Sequence, residues 1–288
     1  MELRELETFR AVVESGGMSH AAMRLNRAQS SVTARIRQLE ASLGVPLFER
    51  EGRRVRLTAA GDVLVAYADR MLNLAEEARA AVAHDRVGGR LRLGAQEVVA
   101  ATRLPRPLAE FHQRFREVSV ELQTAFSREL LERLQAGALD IAVVGDAVDD
   151  ERFVSIPWHV EELVLVAAAG AVMRNPKRMA DQTLLLLGSS GCIYRRRFEQ
   201  WLQALRVVPA RALEFASYHA ILAAAAAGVG FGVVPRSVLD TYSQRDTLSV
   251  HGIPARFARV HTTLVIPRGR HLPALTRLID CLCEDSAG

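Results

Sequence analysis

The chain has 288 residues, 49% of them apolar, which is material for one large or two to three ordinary domains, each able to bury a core. Its formal charge of +4 permits a nucleic-acid partner without requiring one. No apolar run approaches the roughly 18 residues of a membrane span and Met1-Glu2-Leu3-Arg4-Glu5 is charged, so neither a membrane partner nor a secretory signal is expected and a cytoplasmic location is.

Residues 3–14 carry Leu3, Leu6, Phe9 and Val13 at helical spacing and stop at Ser15-Gly16-Gly17, after which Ser19 is placed to cap a second helix. In a third helix Val32, Ile36, Leu39 and Leu43 form one apolar stripe, with Ser30, Thr33, Ala34 and Arg37 on the opposite face and Gly44 as the stop. Short hydroxyl, amide and guanidinium groups on such an exposed face suit base edges in a DNA major groove. Val45-Pro46-Leu47-Phe48 reads as a short strand, Arg50, Arg53, Arg54 and Arg56 surround Gly52, and Leu57-Thr58 begins a return. The pattern is a winged helix-turn-helix whose wing arginines suit phosphates or a narrow minor groove.

From Thr58 a helical pattern runs to about Arg86, roughly 40 Å at 1.5 Å per residue, before Val87-Gly88-Gly89 breaks it. Within it Leu64, Tyr67, Met71, Leu74, Ala78 and Ala81 recur at spacings of 3, 4, 3, 4 and 3, the a/d seam of a coiled coil; a helix packed along its own chain is the alternative.

Beyond Gly89 strands and helices alternate. Strands are expected at 90–95, 119–124 and 139–144 with helices at 102–115 and 128–135, then strands at 184–187, 212–215 and 230–234 with helices at 198–205 and 220–227. Runs 163–168 and 262–266 are the expected crossings between the two sets, and 272–283 a closing helix. Two α/β subdomains would then flank a cleft.

Ala21-Ala22, Gln29-Ser30-Ser31-Val32-Thr33, Leu43-Gly44-Val45-Pro46-Leu47-Phe48-Glu49-Arg50 and Leu57-Thr58-Ala59-Ala60-Gly61 together resemble the LysR-type transcriptional regulators, throughout residues 3–62. Leu139-Asp140-Ile141-Ala142, Glu162-Leu163-Val164-Leu165-Val166 and Ala227-Gly228-Val229-Gly230-Phe231-Gly232-Val233-Val234-Pro235 extend the resemblance over the rest. It departs at Ala28, where the family usually has a Ser or Thr cap, and at Ala34, where a base-contacting Arg is common.

The resemblance implies an α/β protein with a winged helix-turn-helix domain at 1–58, a dimerising linker helix at 59–89 and an effector-binding domain at 90–288 that is similar in fold to periplasmic binding proteins. Its subdomains are expected at about 90–162 with 266–288, and at 163–265. Operator DNA would be contacted by Gln29, Ser30, Ser31, Thr33, Arg35 and Arg37 and by the wing residues Arg50, Arg53 and Arg54. Expected partners are a second copy or a tetramer, a small-molecule effector and, for an activator, RNA polymerase.

The effector residues are expected in two loops, 96–102 and 189–195, on opposite sides of the cleft. Gln96, Glu97, Thr102, Ser189, Ser190, Cys192 and Arg195 are the candidates there, with His219 a further candidate outside them. Glu97 suits an ammonium, whereas Ser189, Ser190 and Arg195 suit an acid, so an amino-carboxylate is expected.

The remaining motifs point to no catalytic or metal site. Gly188-Ser189-Ser190-Gly191-Cys192 has its second glycine one place too early for a nucleophile elbow, and Gly228-Val229-Gly230-Phe231-Gly232 lacks the spacing of a dinucleotide fingerprint. The eight histidines show no metal-ligand spacing, and Cys192, Cys281 and Cys283 suit neither a zinc site nor a disulfide framework. No catalytic residue, metal or cofactor is expected. An α/β binding protein or enzyme with an incidental head, and a regulator that senses oxidants through Cys192, are the competing readings.

Overall fold

The computed structural model describes residues 1–51, 54–82, 87–146, 148–171, 176–188 and 191–286. The chain divides into two compact units, Met1–Arg86 with Arg133–Ala138 and His271–Pro273, and Val87–Glu132 with Leu139–Arg270 and Ala274–Gly288.

The first unit contains α1 (Leu3–Ser15), α2 (Met18–Arg24), α3 (Gln29–Leu43), β1 (Phe48–Glu51), β2 (Arg54–Leu57) and α4 (Ala59–Val82). Leu6, Phe9 and Val12 of α1, Ala21 and Ala22 of α2, and Val32, Ile36 and Leu39 of α3 close one core with Leu47. The Phe9 and Phe48 rings, with centroids 5.4 Å apart, fasten β1 to it. Two details differ from expectation. The second helix begins at Met18 after Gly17, so Ser19 lies inside its first turn rather than capping it. Leu43, the last residue of the stripe in α3, is 37% exposed because the helix ends beside it at Gly44, whose φ of 72° is left-handed.

β1 and β2 pair antiparallel as the wing. Thr58 ties the wing to α4: its hydroxyl donates to the Pro46 carbonyl at 2.8 Å and accepts the Gly61 N–H at 3.1 Å, which caps the long helix.

In the second unit β3 (Gly89–Ala95), α5 (Glu97–Thr102), α6 (Pro105–Arg114), β4 (Val118–Thr124), α7 (Ser127–Gln135) and β5 (Ile141–Gly145) form a βαβαβ set. There β3 lies parallel to both β4 and β5. The helix expected at 102–115 is α6, which Pro105 opens after Leu104, and a separate short helix, α5, precedes it. The chain crosses on β6 (Phe153–Ala168) into β7 (Thr183–Leu187), α8 (Ile193–Leu205), β8 (Arg211–Phe215), α9 (Tyr218–Ala226), β9 (Phe231–Pro235) and α10 (Arg236–Asp240). β10 (Leu248–Gly252), α11 (Ala255–Ala258), β11 (Arg259–Pro267) and α12 (Pro273–Ser286) complete it.

Among the described residues the strand order is β4-β3-β5-β11-β6-β9-β7-β8, with β10 paired to β6. The length of β6 joins the two sets: Phe153–Glu162 pairs with β11, and Leu163 onwards pairs with β9 and β10. β11 pairs with Phe153–Glu162 of β6 along its length and with β5 at Thr262–Val265, so it joins the end of the chain to the first set. Gly230 is required where β9 starts, since a Cβ there would stand 2.0 Å from the Thr183 carbonyl oxygen.

Candidate functional site

The first candidate surface is the outer side of α3. Gln29, Ser30, Ser31, Ala34, Arg37 and Gln38 are exposed, while Val32, Ile36 and Leu39 beneath them are 0–2% exposed. Thr33 and Arg35 are half-buried, and the Thr33 hydroxyl donates to the Gln29 carbonyl at 3.0 Å, so it has only acceptor capacity left for another group. Ala28 supplies no side-chain cap, leaving the first N–H groups of α3 without that partner. Glu40 does not face outward with the others: its Oε1 accepts the N–H groups of Leu47 and Phe48 at 2.8 and 3.2 Å, which locks the helix to the wing. Arg50 and Arg54 lie on the two wing strands; Arg53 and the side chains of Arg50 and Arg54 lie outside the described residues.

The second surface lies along α4. Val63, Tyr67, Met71, Leu74 and Val82 are 62%, 54%, 38%, 65% and 78% exposed, and with exposed Ala78 they repeat every three or four residues. Leu64 is not part of this row. It is 9% exposed and belongs to the core of its own unit with Ala68, so Val63 takes the place that spacing had given it. The Ala81 side chain lies outside the described residues.

The third is a cavity of about 180 Å³ in the second unit, lined by Gln96, Glu97 and Val98 from α5 and its cap, Thr124, Ala125 and Phe126 after β4, Leu187 at the end of β7, and Cys192, Tyr194 and Tyr218. Its walls therefore come from both βαβ sets, at the C-terminal ends of β3, β4 and β7, where helices start. A neighbouring hollow of about 380 Å³ shares Phe126 and Leu187 with it and continues past Gly188 to Glu214 and Phe215. Cys192 Sγ and the Tyr218 hydroxyl are 3.2 Å apart, and the Tyr194 and Tyr218 rings have centroids separated by 6.3 Å. Burial is the first cause that pushes both phenols up, so they remain neutral donors.

Of the expected effector residues, Gln96, Glu97 and Cys192 line the cavity. Arg195 does not: its Nε reaches Glu199 at 2.8 Å and its Nη1 reaches Glu214 and the Leu187 carbonyl, both at 2.8 Å, so it is a strut between α8 and the strands β7 and β8. Thr102 lies at the far end of α5 with its hydroxyl on the Val98 carbonyl at 2.8 Å, and exposed His219 points elsewhere than its buried neighbour Tyr218. Neither lines the cavity. Ser189 and Ser190 lie outside the described residues. Phe126, Tyr194 and Tyr218 lie between the expected strands and helices and were missed because nothing local marks a ring as a wall residue; only the tertiary fold brings all three to one hollow.

Among the described residues no group of three or more His, Cys, Asp or Glu could hold a metal ion, and no helix is long and apolar enough to cross a membrane.

Comparison with known proteins yields two family matches. Residues 3–62 match the bacterial regulatory helix-turn-helix proteins of the lysR family, and residues 84–287 match the LysR substrate binding domain. The HTH-type transcriptional regulator YusT of Bacillus subtilis is 31% identical over 96% of this chain and 93% of its own length, and GltR of the same organism is 32% identical over 92% and 90%. Among solved structures, CbnR, a LysR family transcriptional regulator, aligns with a TM-score of 0.70 at 26% identity over 99% of both chains. Full-length CbnR complexed with its target DNA aligns at 0.69 over 99% of this chain and 100% of that one. A full-length OxyR variant from Pseudomonas aeruginosa shares the fold, with a TM-score of 0.77 at 23% identity over 100% and 97% of the two chains.

Proposed function

The chain belongs to the LysR family of transcriptional regulators, and from that premise we propose how its parts divide the work of a DNA-binding regulator with a substrate-binding domain. In this reading Gln29, Ser30 and Arg37 meet base edges, with Ser31, Thr33 and Arg35 at the margins. Arg50, Arg53 and Arg54 hold the sugar-phosphate backbone. The observation that carries it is the exposed row of Gln29, Ser30 and Arg37 on α3 above the buried Val32, Ile36 and Leu39, which leaves that row free for a groove. The apolar row of α4 pairs two copies, and two heads then read a two-fold DNA site. Effector subdomains supply further contacts in a tetramer, and RNA polymerase is the additional partner if the protein activates. The protein works in the cytoplasm, with 1–58 as the DNA-binding part, 59–89 as the pairing helix and the remainder as the sensor.

The effector occupies the cavity bounded by Gln96, Glu97, Phe126, Tyr194 and Tyr218, where a molecule touching both βαβ sets favours one mutual arrangement over another. Of the acid anchor expected at Ser189, Ser190 and Arg195, Arg195 is already bound by two carboxylates, and the two serines lie outside the described residues.

The test of the DNA reading is a binding titration at several salt concentrations. Arg37→Ala should cost roughly 1–3 kcal/mol on the preferred sequence and relax selectivity at one base pair, whereas Arg54→Ala should weaken all sequences and lower the salt slope by about one unit. Unchanged affinity and selectivity in Arg37→Ala would remove α3 from the groove.

A further inference from the structure

The cavity carries a charge preference of its own. Glu97, exposed at the first position of α5, is the ionised side chain among the described residues that line it. After burial, Cys192 and Tyr194, its negative charge is among the influences that raise the Tyr218 phenol, so it stands in electrostatic reach of that wall. Two further polar atoms are buried there with no hydrogen-bond partner, the Oε1 of Gln96 and the hydroxyl of Tyr194, on residues 4% and 2% exposed. An amide oxygen can only accept, so Gln96 and Glu97 together ask for N–H donors. Two nearby cations would welcome an acid, and both are paired outside the lining: Arg195 with Glu199 and Glu214, and Arg103, whose charge reaches Tyr194, with Glu161 at 3.7 Å.

The rest of the lining is apolar or aromatic: Val98, Phe126, Leu187 and the rings of Tyr194 and Tyr218. A carboxylate beside Glu97 in this partly desolvated space is repelled, while an ammonium is attracted both by Glu97 and by aromatic faces. The volume of about 180 Å³ sets the size, since a cavity of roughly 150 Å³ accommodates benzene.

We propose that the cavity takes an organic amine of single-ring size, its ammonium on Glu97 and Gln96 Oε1 and its apolar body against Phe126, Leu187 and Tyr218. The inference rests on the assignment of this cavity as the effector site and narrows that assignment to a cationic ligand class.

Thermal unfolding of the full chain at pH 7.5 with benzylamine, benzyl alcohol and benzoate tests it, because the three share a ring and differ in charge. Benzylamine should raise the melting temperature by roughly 2 °C or more as it saturates the site, benzyl alcohol less and benzoate not at all. Glu97→Gln should abolish the benzylamine shift, and Glu97→Asp should keep part of it. The cationic assignment is overturned if benzoate shifts the transition most, or if Glu97→Gln leaves the benzylamine shift intact. Phe126→Ala separates the two levels. If it cancels a shift caused by benzoate or benzyl alcohol, the cavity is a ligand site with the wrong charge assigned; if none of the three moves the transition at millimolar concentration, the cavity assignment itself falls.

Discussion

Asp140 is 1% exposed, and three groups converge on it: the Arg92 backbone N–H at 2.8 Å, the Arg92 guanidinium at 2.8 and 3.1 Å, and the Arg270 guanidinium. Burial pushes its carboxyl up, but the hydrogen bonds and charge of Arg92, with Arg270 behind, outweigh this and hold it below the usual carboxylate value. A carboxyl lowered by folding contributes stability that is complete above its ordinary value and is lost as pH falls through the lowered one. Wild-type protein should therefore lose stability below about pH 4 more steeply than Asp140→Asn. Asp140→Ala leaves the Arg92 guanidinium, 11% exposed, without this counter-charge and should cost about 3–5 kcal/mol, read as a lower denaturation midpoint. An unchanged midpoint would mean that Arg92 finds another partner. At this scale the sequence was partly legible. Leu139-Asp140-Ile141-Ala142 was visible as a marker, but Arg92 and Arg270 lie far off in the chain and nothing local points to them. Arg195 failed for the same reason, because the Glu214 that engages it comes from a different strand.

Helix α4 has two apolar rows, and a periodic pattern alone does not say which one faces the helix's own unit. Leu64 and Ala68 are claimed by the core of α1, α2 and α3, whereas Val63, Tyr67, Met71 and Leu74 stay exposed. The two rows predict opposite outcomes. Leu64→Asp buries an unpaired charge in the head and should abolish its folding and DNA binding. Leu74→Asp should leave the helical signal intact and shift the mass in sedimentation towards the monomer. A dimer that survives Leu74→Asp with full mass would take the pairing surface away from this row. Helix α3 was read more completely, because its stop at Gly44 and its polar outer row are local properties. Its weak start was legible as well: Ala28 has φ −68° and ψ 142°, a geometry that a capping side chain can use, and makes no side-chain bond. Ala28→Ser should stabilise the head by about 1 kcal/mol in denaturant titration, and no gain would mean that the serine hydroxyl cannot reach the N–H groups.

For the whole molecule, the order of strands and helices could be read from periodicity, whereas the crossing between the two sets could only be read in part. The half of β6 from Leu163 is a continuous apolar run and was recognised; Phe153–Glu162 holds Pro157, Trp158 and His159, which break the pattern. The register against β11 shifts there, pairing Thr262 with His159 and Thr263 with Pro157, so Pro157 sits at a bulge, where a missing donor is tolerated. The cavity could not be read from order alone, since Gln96, Phe126, Leu187 and Tyr218 meet only when both sets are folded. The measurement that bears most directly on the account is selection of bound DNA by the full chain from a random-sequence duplex pool at physiological salt. A paired two-fold reader should enrich one inverted repeat with half-sites about one helical turn, or a multiple of it, apart. A pool that stays random after successive rounds, bound only where low salt favours any duplex, would contradict it.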